Sequence, residues 1–156
     1  MKISTKGKYG LRAMIDLAQY SEQEAVSISS IAQRQKISES YLEQLVAKLK
    51  KAGLVVSIRG AAGGYRLARP ASGISVGDVL RALEGDVRAV ICTAQTEEGC
   101  EGEELCVTKY VWQRINESIE KTVDEMMIDQ LGAESRKAQE KAKNHDVAYS
   151  RNSCSG

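Results

Sequence analysis

Residues 27–67 combine two short helical patterns with a strand-glycine-strand pattern, and few folds accommodate that order of elements. Apolar residues recur at helical spacing over 27–35 and 38–52, with a break between the two segments. The segments 54–59 and 65–67 are rich in strand-forming residues and flank Gly-Ala-Ala-Gly-Gly, which is typical of a hairpin tip. Two short helices joined by a tight turn form a helix-turn-helix, and a following hairpin adds a wing. We therefore predict a mainly α fold with a small β-hairpin wing, a winged helix-turn-helix domain.

Serines mark the start of the second helix of this pair. Ser38 and Ser40 are both candidate N-caps, and Ser40 followed by Glu43 matches the capping-box pattern. Behind them, four apolar positions at helical spacing predict a buried stripe. These positions are Leu42, Leu45, Val46 and Leu49. The second helix of a helix-turn-helix normally enters the major groove of DNA, so its opposite face is the predicted reading surface.

Charge is unevenly divided along the chain. Residues 1–69 hold 12 Lys and Arg against 5 Asp and Glu, whereas the remainder holds 10 against 16. A basic first half can neutralise phosphates, while an acidic second half would be repelled by them. Arg59 and Arg66 flank the wing glycines, where they can contact phosphates or the minor groove. We therefore predict that any nucleic acid binds to the first half, and double-stranded DNA is the expected partner of a winged helix.

The chain divides into five segments by composition and pattern. Residues 1–70 form the predicted winged helix-turn-helix domain, 71–90 a linker and supporting helix, and 91–106 a cysteine-rich loop that is a candidate site for a metal or cluster. Residues 107–131 carry an apolar stripe at helical spacing, and 132–156 form a polar tail predicted to be disordered. The stripe consists of Val111, Ile115, Ile119, Val123 and Met126. A long amphipathic helix after a complete small domain favours pairing of two copies, so we predict a dimerisation helix and a homodimer.

The composition argues against several other classes of protein. The longest apolar runs are far shorter than the roughly 20 residues of a membrane helix, and no signal-peptide pattern is present. The single histidine, His145, lies in the polar tail, and the sequence contains no phosphate-binding loop or nucleophile elbow. We therefore expect a cytoplasmic protein that is neither a membrane protein nor an enzyme.

Three cysteines, Cys92, Cys100 and Cys106, lie close together in an acidic loop behind the basic half. Thiolates are strong ligands for soft metals and iron-sulfur clusters, and three in one loop can converge on one site. Their spacing matches neither a zinc knuckle nor a ferredoxin motif, so it does not name the cofactor. Redox-sensing or inert thiols are the main alternative, and a disulfide is disfavoured in the cytoplasm.

Four stretches of the sequence resemble one known family. They are MKISTKGKYGLRAMIDLA, SIAQRQKISESYLEQLVAKLKKAGLVVSIRGAAGGYRLAR, ISVGDVLRALEG and the three-cysteine loop. Over roughly residues 1–130, the chain resembles the iron-sulfur cluster regulator IscR and its relatives. The resemblance implies a homodimeric transcription regulator, mainly a repressor, of iron-sulfur cluster assembly genes. It also implies that Cys92, Cys100 and Cys106 hold a [2Fe-2S] cluster.

The resemblance assigns DNA contacts to the recognition helix, the wing and the first helix. Hydroxyl and amide groups can hydrogen-bond base edges, a carboxylate can accept from cytosine, and arginine suits a narrow minor groove. A lysine and a tyrosine near the start of the chain would contact phosphates. The implied contacts are Ser38, Ser40, Tyr41, Glu43, Gln44, Arg59, Lys6 and Tyr9.

The fourth cluster ligand is where this chain departs from the family. The family places a histidine three residues after the last cysteine, and this sequence has Lys109 there. A lysine must lose a proton before its nitrogen can bind iron, and its ordinary pKa is about 10.4. The other candidates are Glu104, Cys154, His145, and a solvent molecule or small thiol. A weakly held fourth ligand would make the cluster labile, which suits a sensor of cluster supply.

Related functions are left open by the residues. Sibling regulators with the same DNA-binding half sense nitric oxide, iron or cysteine status, and the cysteine type is expected to lack this cysteine trio. An electron-transfer iron-sulfur protein would account for the cysteines but not for the wing. The sequence also leaves open a [4Fe-4S] cluster, activation instead of repression, and whether the apo or the holo form binds a given operator.

Overall fold

A computed structural model describes residues 2–92, 100, 102 and 104–153, and their side chains up to residue 145. Over these residues the chain forms six α-helices and one two-stranded antiparallel sheet, which confirms the predicted mainly α fold with a hairpin wing. The helices are α1 (Thr5–Tyr20), α2 (Ile28–Gln35), α3 (Glu39–Lys51), α4 (Val76–Glu84), α5 (Thr108–Glu125) and α6 (Ile128–Ser153), and the strands are β1 (Val55–Ile58) and β2 (Gly64–Leu67). A short 3-10 helix, Ala71–Gly73, precedes α4.

Serine side chains cap the N-termini of the first four helices. At α3 the cap is Ser38, whose hydroxyl accepts a hydrogen bond from the backbone N–H of Tyr41 at 3.3 Å. The capping box predicted for Ser40 and Glu43 is wrong, because α3 begins directly after Ser38 and both residues lie inside the helix. This cap fixes the start of the recognition helix, so that residues 39–41 precede Leu42, the first residue of the buried stripe.

The core lies where α1, α3 and α4 meet, and α2, the hairpin and the start of α6 close its sides. The predicted apolar stripe of α3 is buried, at no more than 1% exposure for any member. Large side chains that are almost completely buried include Met14, Leu17, Ile31, Leu42, Leu45, Leu49, Ile74 and Ile128. Each contributes roughly 1.5–3 kcal/mol by leaving water, so the helix-turn-helix and α4 form one packed unit.

The wing is a hairpin of two four-residue strands, with Val55 paired to Leu67 at its base. Gly60 at the tip has φ +113°, a backbone conformation that side chains disfavour. The hairpin is fastened to the body through Tyr65 of β2, whose backbone exchanges two hydrogen bonds with Val26 at 2.8 and 2.9 Å. The strands are therefore held in place, and the tip glycines lie beyond this attachment.

The helix predicted over 107–131 is in fact two helices. Met126 takes an extended conformation (φ −87°, ψ 111°) after α5, and α6 begins at Ile128. The carbonyl of Met126 accepts from the N–H of Val76 at 2.8 Å, and the N–H of Ile128 donates to the carbonyl of Ile74 at 2.9 Å. These bonds to the chain before α4 interrupt the helix and place Ile128 in the core, where it has no exposed surface.

Most of the tail predicted to be disordered is also helical. α6 runs from Ile128 to Ser153, whereas residues 154–156 lie outside the described residues. The start of α6 packs on α1, and residues 136–145 are exposed. Alanine, glutamate, lysine and glutamine have high helix propensity even where no face of the helix is buried. The prediction of disorder gave too little weight to this propensity. None of the helices in the described part of the chain is long and apolar enough to cross a membrane.

Candidate DNA-binding surface and cysteine loop

Helix α3 turns most of its predicted DNA contacts toward solvent. Ser40, Glu43 and Gln44 are exposed, while the leucines of the opposite face are buried. Ser38 is exposed as well, although its hydroxyl is engaged as the helix cap. Hydroxyl, carboxylate and amide groups are therefore available at the start of α3, and these are groups that can hydrogen-bond base edges.

Two tyrosines join α3 to α1. The rings of Tyr9 and Tyr41 meet edge to face, with centroids 6.1 Å apart and an interplanar angle of 86°. Both side chains are half-buried, and both pack against the core, whereas Lys6 is exposed near the start of α1. The tyrosines therefore hold the two helices together, in addition to any contact that they make with DNA.

Arg12 is a candidate DNA contact that the sequence reasoning missed. Its guanidinium lies 5.3 Å from the ring centroid of Tyr9 and donates to the backbone carbonyl of Gln35. Arg12 is exposed, as is Lys8 one helical turn earlier. The spacing of two cations by four residues on α1 is the signal that would have found this basic face.

The two arginines of the wing have different surroundings. Arg59 is exposed beside the tip glycines. Arg66 instead donates to the carbonyl oxygens of Ser21 and Glu22, at 3.2 and 2.8 Å. Arg66 therefore fastens the hairpin to the end of α1, and its expected contact with DNA gives way to this structural role.

The three loop cysteines are free thiols. Cys92 and Cys106 are half-buried, and Cys100 is exposed. Among the residues that the structure describes, no three Cys, His, Asp or Glu side chains are grouped closely enough to hold a metal ion. Three thiols nevertheless form a donor set that suits cluster iron, because they ionise as they bind.

Cys106 is the loop thiol whose surroundings favour ionisation. Its Sγ lies 3.1 Å from the hydroxyl of Thr108. This hydrogen bond, followed by one from the backbone N–H of Lys109, lowers the pKa of the Cys106 thiol below its ordinary value. Cys106 also lies just before α5, where the backbone N–H groups of the first helical turn favour negative charge. The thiolate is the form that binds metal, so Cys106 is suited to be a ligand.

The four protein candidates for the fourth ligand have different surroundings. The ammonium of Lys109 lies 5.5 Å from the ring centroid of Tyr110, a cation-π contact, and its positive charge contributes to the lowered pKa of the Cys106 thiol. Glu104 and His145 are exposed, and Cys154 lies outside the described residues. The geometry of Lys109 suits a cation that balances thiolate charge better than it suits a ligand.

The apolar stripe of the predicted dimerisation helix is half-buried in its middle and exposed toward both ends, where Met126 is the exposed member at the C-terminal end. Ile119 and Val123 are half-buried, and Val123 packs against the core. Toward the N-terminus of α5, large apolar side chains are exposed to solvent and form what we call the α5 stripe. Its members are Leu105, Val107, Tyr110, Val111 and Ile115. An exposed apolar surface of this kind is typical of an interaction site.

Known proteins resemble this chain over most of its length. Residues 3–134 match the family described as "Rrf2: Iron-dependent Transcriptional regulator". The HTH-type transcriptional regulator IscR of Yersinia enterocolitica is 41% identical over 131 residues, which cover 84% of this chain and 79% of that protein.

Two solved structures share the fold. T. potens IscR superimposes with a TM-score of 0.69 at 46% identity, over 89% of this chain and 91% of its own. CymR, the global cysteine regulator of B. subtilis, has a TM-score of 0.72 at 41% identity, over 85% of this chain and 97% of its own. With its winged helix, this chain is a transcriptional regulator and not an enzyme. The chain therefore belongs to the Rrf2 family of transcriptional regulators.

Proposed function

We propose that this regulator is a homodimer that binds promoter DNA and senses iron-sulfur cluster supply through a [2Fe-2S] cluster. It would mainly repress genes of iron-sulfur cluster assembly, in the cytoplasm where promoter DNA lies. The observation that carries the proposal is the order of elements, since three free thiols lie between a winged helix and helix α5, whose N-terminal part carries the α5 stripe. A structural change at the thiols can therefore affect both the DNA-binding winged helix and the interaction surface on α5. Relatives named IscR support the same function.

DNA recognition is assigned to the polar face of α3, the wing and the start of α1. The α3 side chains would hydrogen-bond base edges, Arg59 would enter the minor groove, and the α1 residues would contact phosphates. The proposed contacts are Lys6, Tyr9, Ser38, Ser40, Tyr41, Glu43, Gln44 and Arg59, to which we add Arg12. Two copies of such a surface would read the two halves of a palindromic operator.

Dimerisation is assigned to the α5 stripe. In the single chain, Val111 remains 50% exposed and Tyr110 64% exposed. A second copy of the same stripe would cover both, and a two-fold axis would then relate the two recognition helices. The hydrophobic gain favours pairing, since each covered apolar side chain contributes about 25 cal/mol per Å² removed from water.

Cluster binding is assigned to Cys92, Cys100 and Cys106, with the fourth position filled by Glu104, His145, Cys154 or a small molecule. When bound, the cluster supplies iron atoms that link three positions of one loop. That loop connects α4 to α5, and the two helices are also joined by Arg81 and Asp124, whose charged groups pair at 2.7 and 2.8 Å. A reordered loop would shift α5, and with it the spacing of the two recognition helices.

Operator binding with and without the cluster tests the proposal. Protein purified without oxygen should be coloured and show a visible iron-sulfur spectrum. Cluster-loaded and cluster-stripped protein should then differ in affinity for a palindromic promoter fragment, and both should bind random DNA more weakly. Colourless protein, or equal binding to promoter and random DNA in both states, would contradict the proposal.

Replacing Arg59 by alanine is expected to lower operator affinity by roughly tenfold, since an arginine in a groove contributes about 1–3 kcal/mol. The slope of log affinity against log salt should also flatten by about 1, because one cation fewer displaces counterions. Fluorescence anisotropy at several salt concentrations measures both. Arg136→Ala is the matched control, because Arg136 is exposed on α6, far along the chain from the wing. Equal affinity of Arg59→Ala and wild type would remove the wing from the interface.

Replacing Lys109 by alanine is expected to leave the iron content unchanged, because the charged lysine is a partner of the thiolate and not a ligand. The iron and sulfide content and the visible spectrum of the reconstituted protein measure this. Lys109→Arg, which keeps a cation at this position, is the control. A loss of cluster in Lys109→Ala that is shared by Lys109→Arg would make lysine the fourth ligand.

A second candidate is regulation by cysteine status, which the similarity to the global cysteine regulator CymR of B. subtilis favours. The cysteine trio counts against it, since thiols in an acidic loop offer a metal site that such a regulator does not require. The two candidates differ in one measurement. Colourless protein that binds operators of cysteine-metabolism genes would favour the second.

A further inference from the structure

Asn116 is a buried amide on a helix that otherwise faces solvent or lies half-buried. Its residue exposure is 6%, and no other residue of α5, which the structure describes throughout, is buried. A buried polar group is costly unless it is hydrogen-bonded, so its partners indicate why it is there. Those partners lie in the irregular segment 86–92, which leads from α4 to the first cysteine of the loop.

The Asn116 side chain both accepts from and donates to the backbone of this segment, as the backbone of a neighbouring β-strand would. Its Oδ1 accepts from the backbone N–H groups of Ala89 and Val90, at 2.9 and 3.3 Å. Its Nδ2 donates to the carbonyl of Val90 at 2.8 Å. Only an amide side chain offers a carbonyl and an N–H side by side, so asparagine at this position satisfies both backbone N–H groups and a backbone carbonyl.

We infer that Asn116 is a positioning residue for Cys92, an inference that rests on the proposed cluster-binding function. Val90 precedes Cys92 by two residues, roughly 7 Å of extended chain. Cys106, at the other end of the loop, directly precedes the cap of α5 and is joined to it through Thr108. Asn116 therefore fastens the Cys92 end of the cysteine loop to the same helix that follows directly after the Cys106 end.

This attachment also ties the cysteines to the interaction surface. The residue before Asn116 is Ile115, which belongs to the α5 stripe and is 37% exposed. A change in how the loop is held would act on the same turn of helix that a second copy covers. The side chain of Asn116 points to the segment 86–92, while the stripe points to solvent. The same turn of α5 therefore holds this segment on one face and carries part of the α5 stripe on another.

Two substitutions test the role of Asn116. Asn116→Ala removes all three hydrogen bonds, whereas Asn116→Asp has nearly the same shape but cannot donate to the carbonyl of Val90. Val123→Ala is the matched control, because it weakens the packing of α5 on the core and removes no side-chain hydrogen bond to the segment 86–92. A change in stability alone should therefore appear in all three variants.

The first measurement is amide hydrogen exchange of Ala89 and Val90 in cluster-free protein. Both amides should exchange on the order of tenfold faster in Asn116→Ala and keep wild-type rates in Val123→Ala. The second measurement is the release of iron from reconstituted protein to a chelator, together with the visible circular dichroism of the cluster. Release should be on the order of tenfold faster in Asn116→Ala, and intermediate in Asn116→Asp, with an altered dichroism spectrum.

The outcomes separate this inference from the proposed function. Faster amide exchange with wild-type iron release would overturn the positioning role, as would iron release from Val123→Ala as fast as that from Asn116→Ala. Unchanged amide exchange would overturn the attachment itself. Failure of the wild-type protein to take up any cluster would overturn the proposed function, and the exchange rates would still decide whether Asn116 holds the segment.

Discussion

Serine in place of Cys106 is expected to abolish stable cluster binding. Cys106 is the loop thiol with a lowered pKa, because the Thr108 hydroxyl and then the Lys109 backbone N–H hydrogen-bond its sulfur. Serine supplies neither a soft ligand nor a group that ionises near neutral pH. Loss of a group that only hydrogen-bonds a ligand lowers metal affinity about 10–100-fold, so loss of the ligand should do more. Iron and sulfide content and visible absorbance after anaerobic reconstitution measure the effect.

The fold should survive Cys106→Ser, since Cys106 lies outside the buried core. The variant should therefore bind DNA as cluster-free wild-type protein does, and it should no longer respond to reconstitution. Cys154→Ser is the control variant, because it also removes one of the four thiols. If Cys154→Ser alone lost the cluster while Cys106→Ser kept it, the proposed ligand set would be wrong. A loss in both would assign the fourth position to Cys154.

Removing the Asp16 carboxylate is expected to cost about 3 kcal/mol of folding free energy. Asp16 has no exposed surface, and it accepts hydrogen bonds from Arg34 at 2.6 and 2.9 Å and from Gln35 at 2.9 Å. Removing one partner of a buried ion pair costs about 3–5 kcal/mol, because the other charge stays in place without compensation. The side chain of Arg34 is 33% exposed, so water can reach it and the loss should fall near the lower bound.

Urea unfolding of Asp16→Ala at neutral pH measures this cost, with an unchanged dependence on urea expected if the fold is retained. Glu134→Ala is the matched control, since Glu134 pairs with Lys137 at 3.1 Å but both side chains are at least 65% exposed. That pair should contribute about 0.5 kcal/mol or less. Similar losses in the two variants would show that burial of Asp16 is not what makes its ion pair strong.

The helices and hairpin of the first half could be predicted from sequence because their signals are local. A serine cap, apolar residues three and four positions apart, and glycines between β-branched runs act within one or two turns of chain. Ser38 and the stripe of α3 are examples. The choice between Ser38 and Ser40 failed because both serines carry the same local signal, and the packing of the turn decides which one caps the helix.

The break between α5 and α6 could not be predicted, because its cause lies far along the chain. The apolar pattern continues through Met126, so the sequence favours one helix there. A hydrogen bond from Val76 to Met126 and one from Ile128 to Ile74, together with burial of Ile128, make two helices instead. Arg66 is a similar case, since only the position of the end of α1 shows that its guanidinium is used within the protein.

The sequence by itself determined the winged helix, the basic half and the three thiols Cys92, Cys100 and Cys106, since residue type and local spacing suffice for each. Only the tertiary structure decided which part of the α5 pattern is covered and which is left as the α5 stripe. It also gave the buried amide of Asn116 its partners at Ala89 and Val90. The physical reason is that burial and hydrogen-bond satisfaction depend on what the fold brings together, and local periodicity does not contain that information.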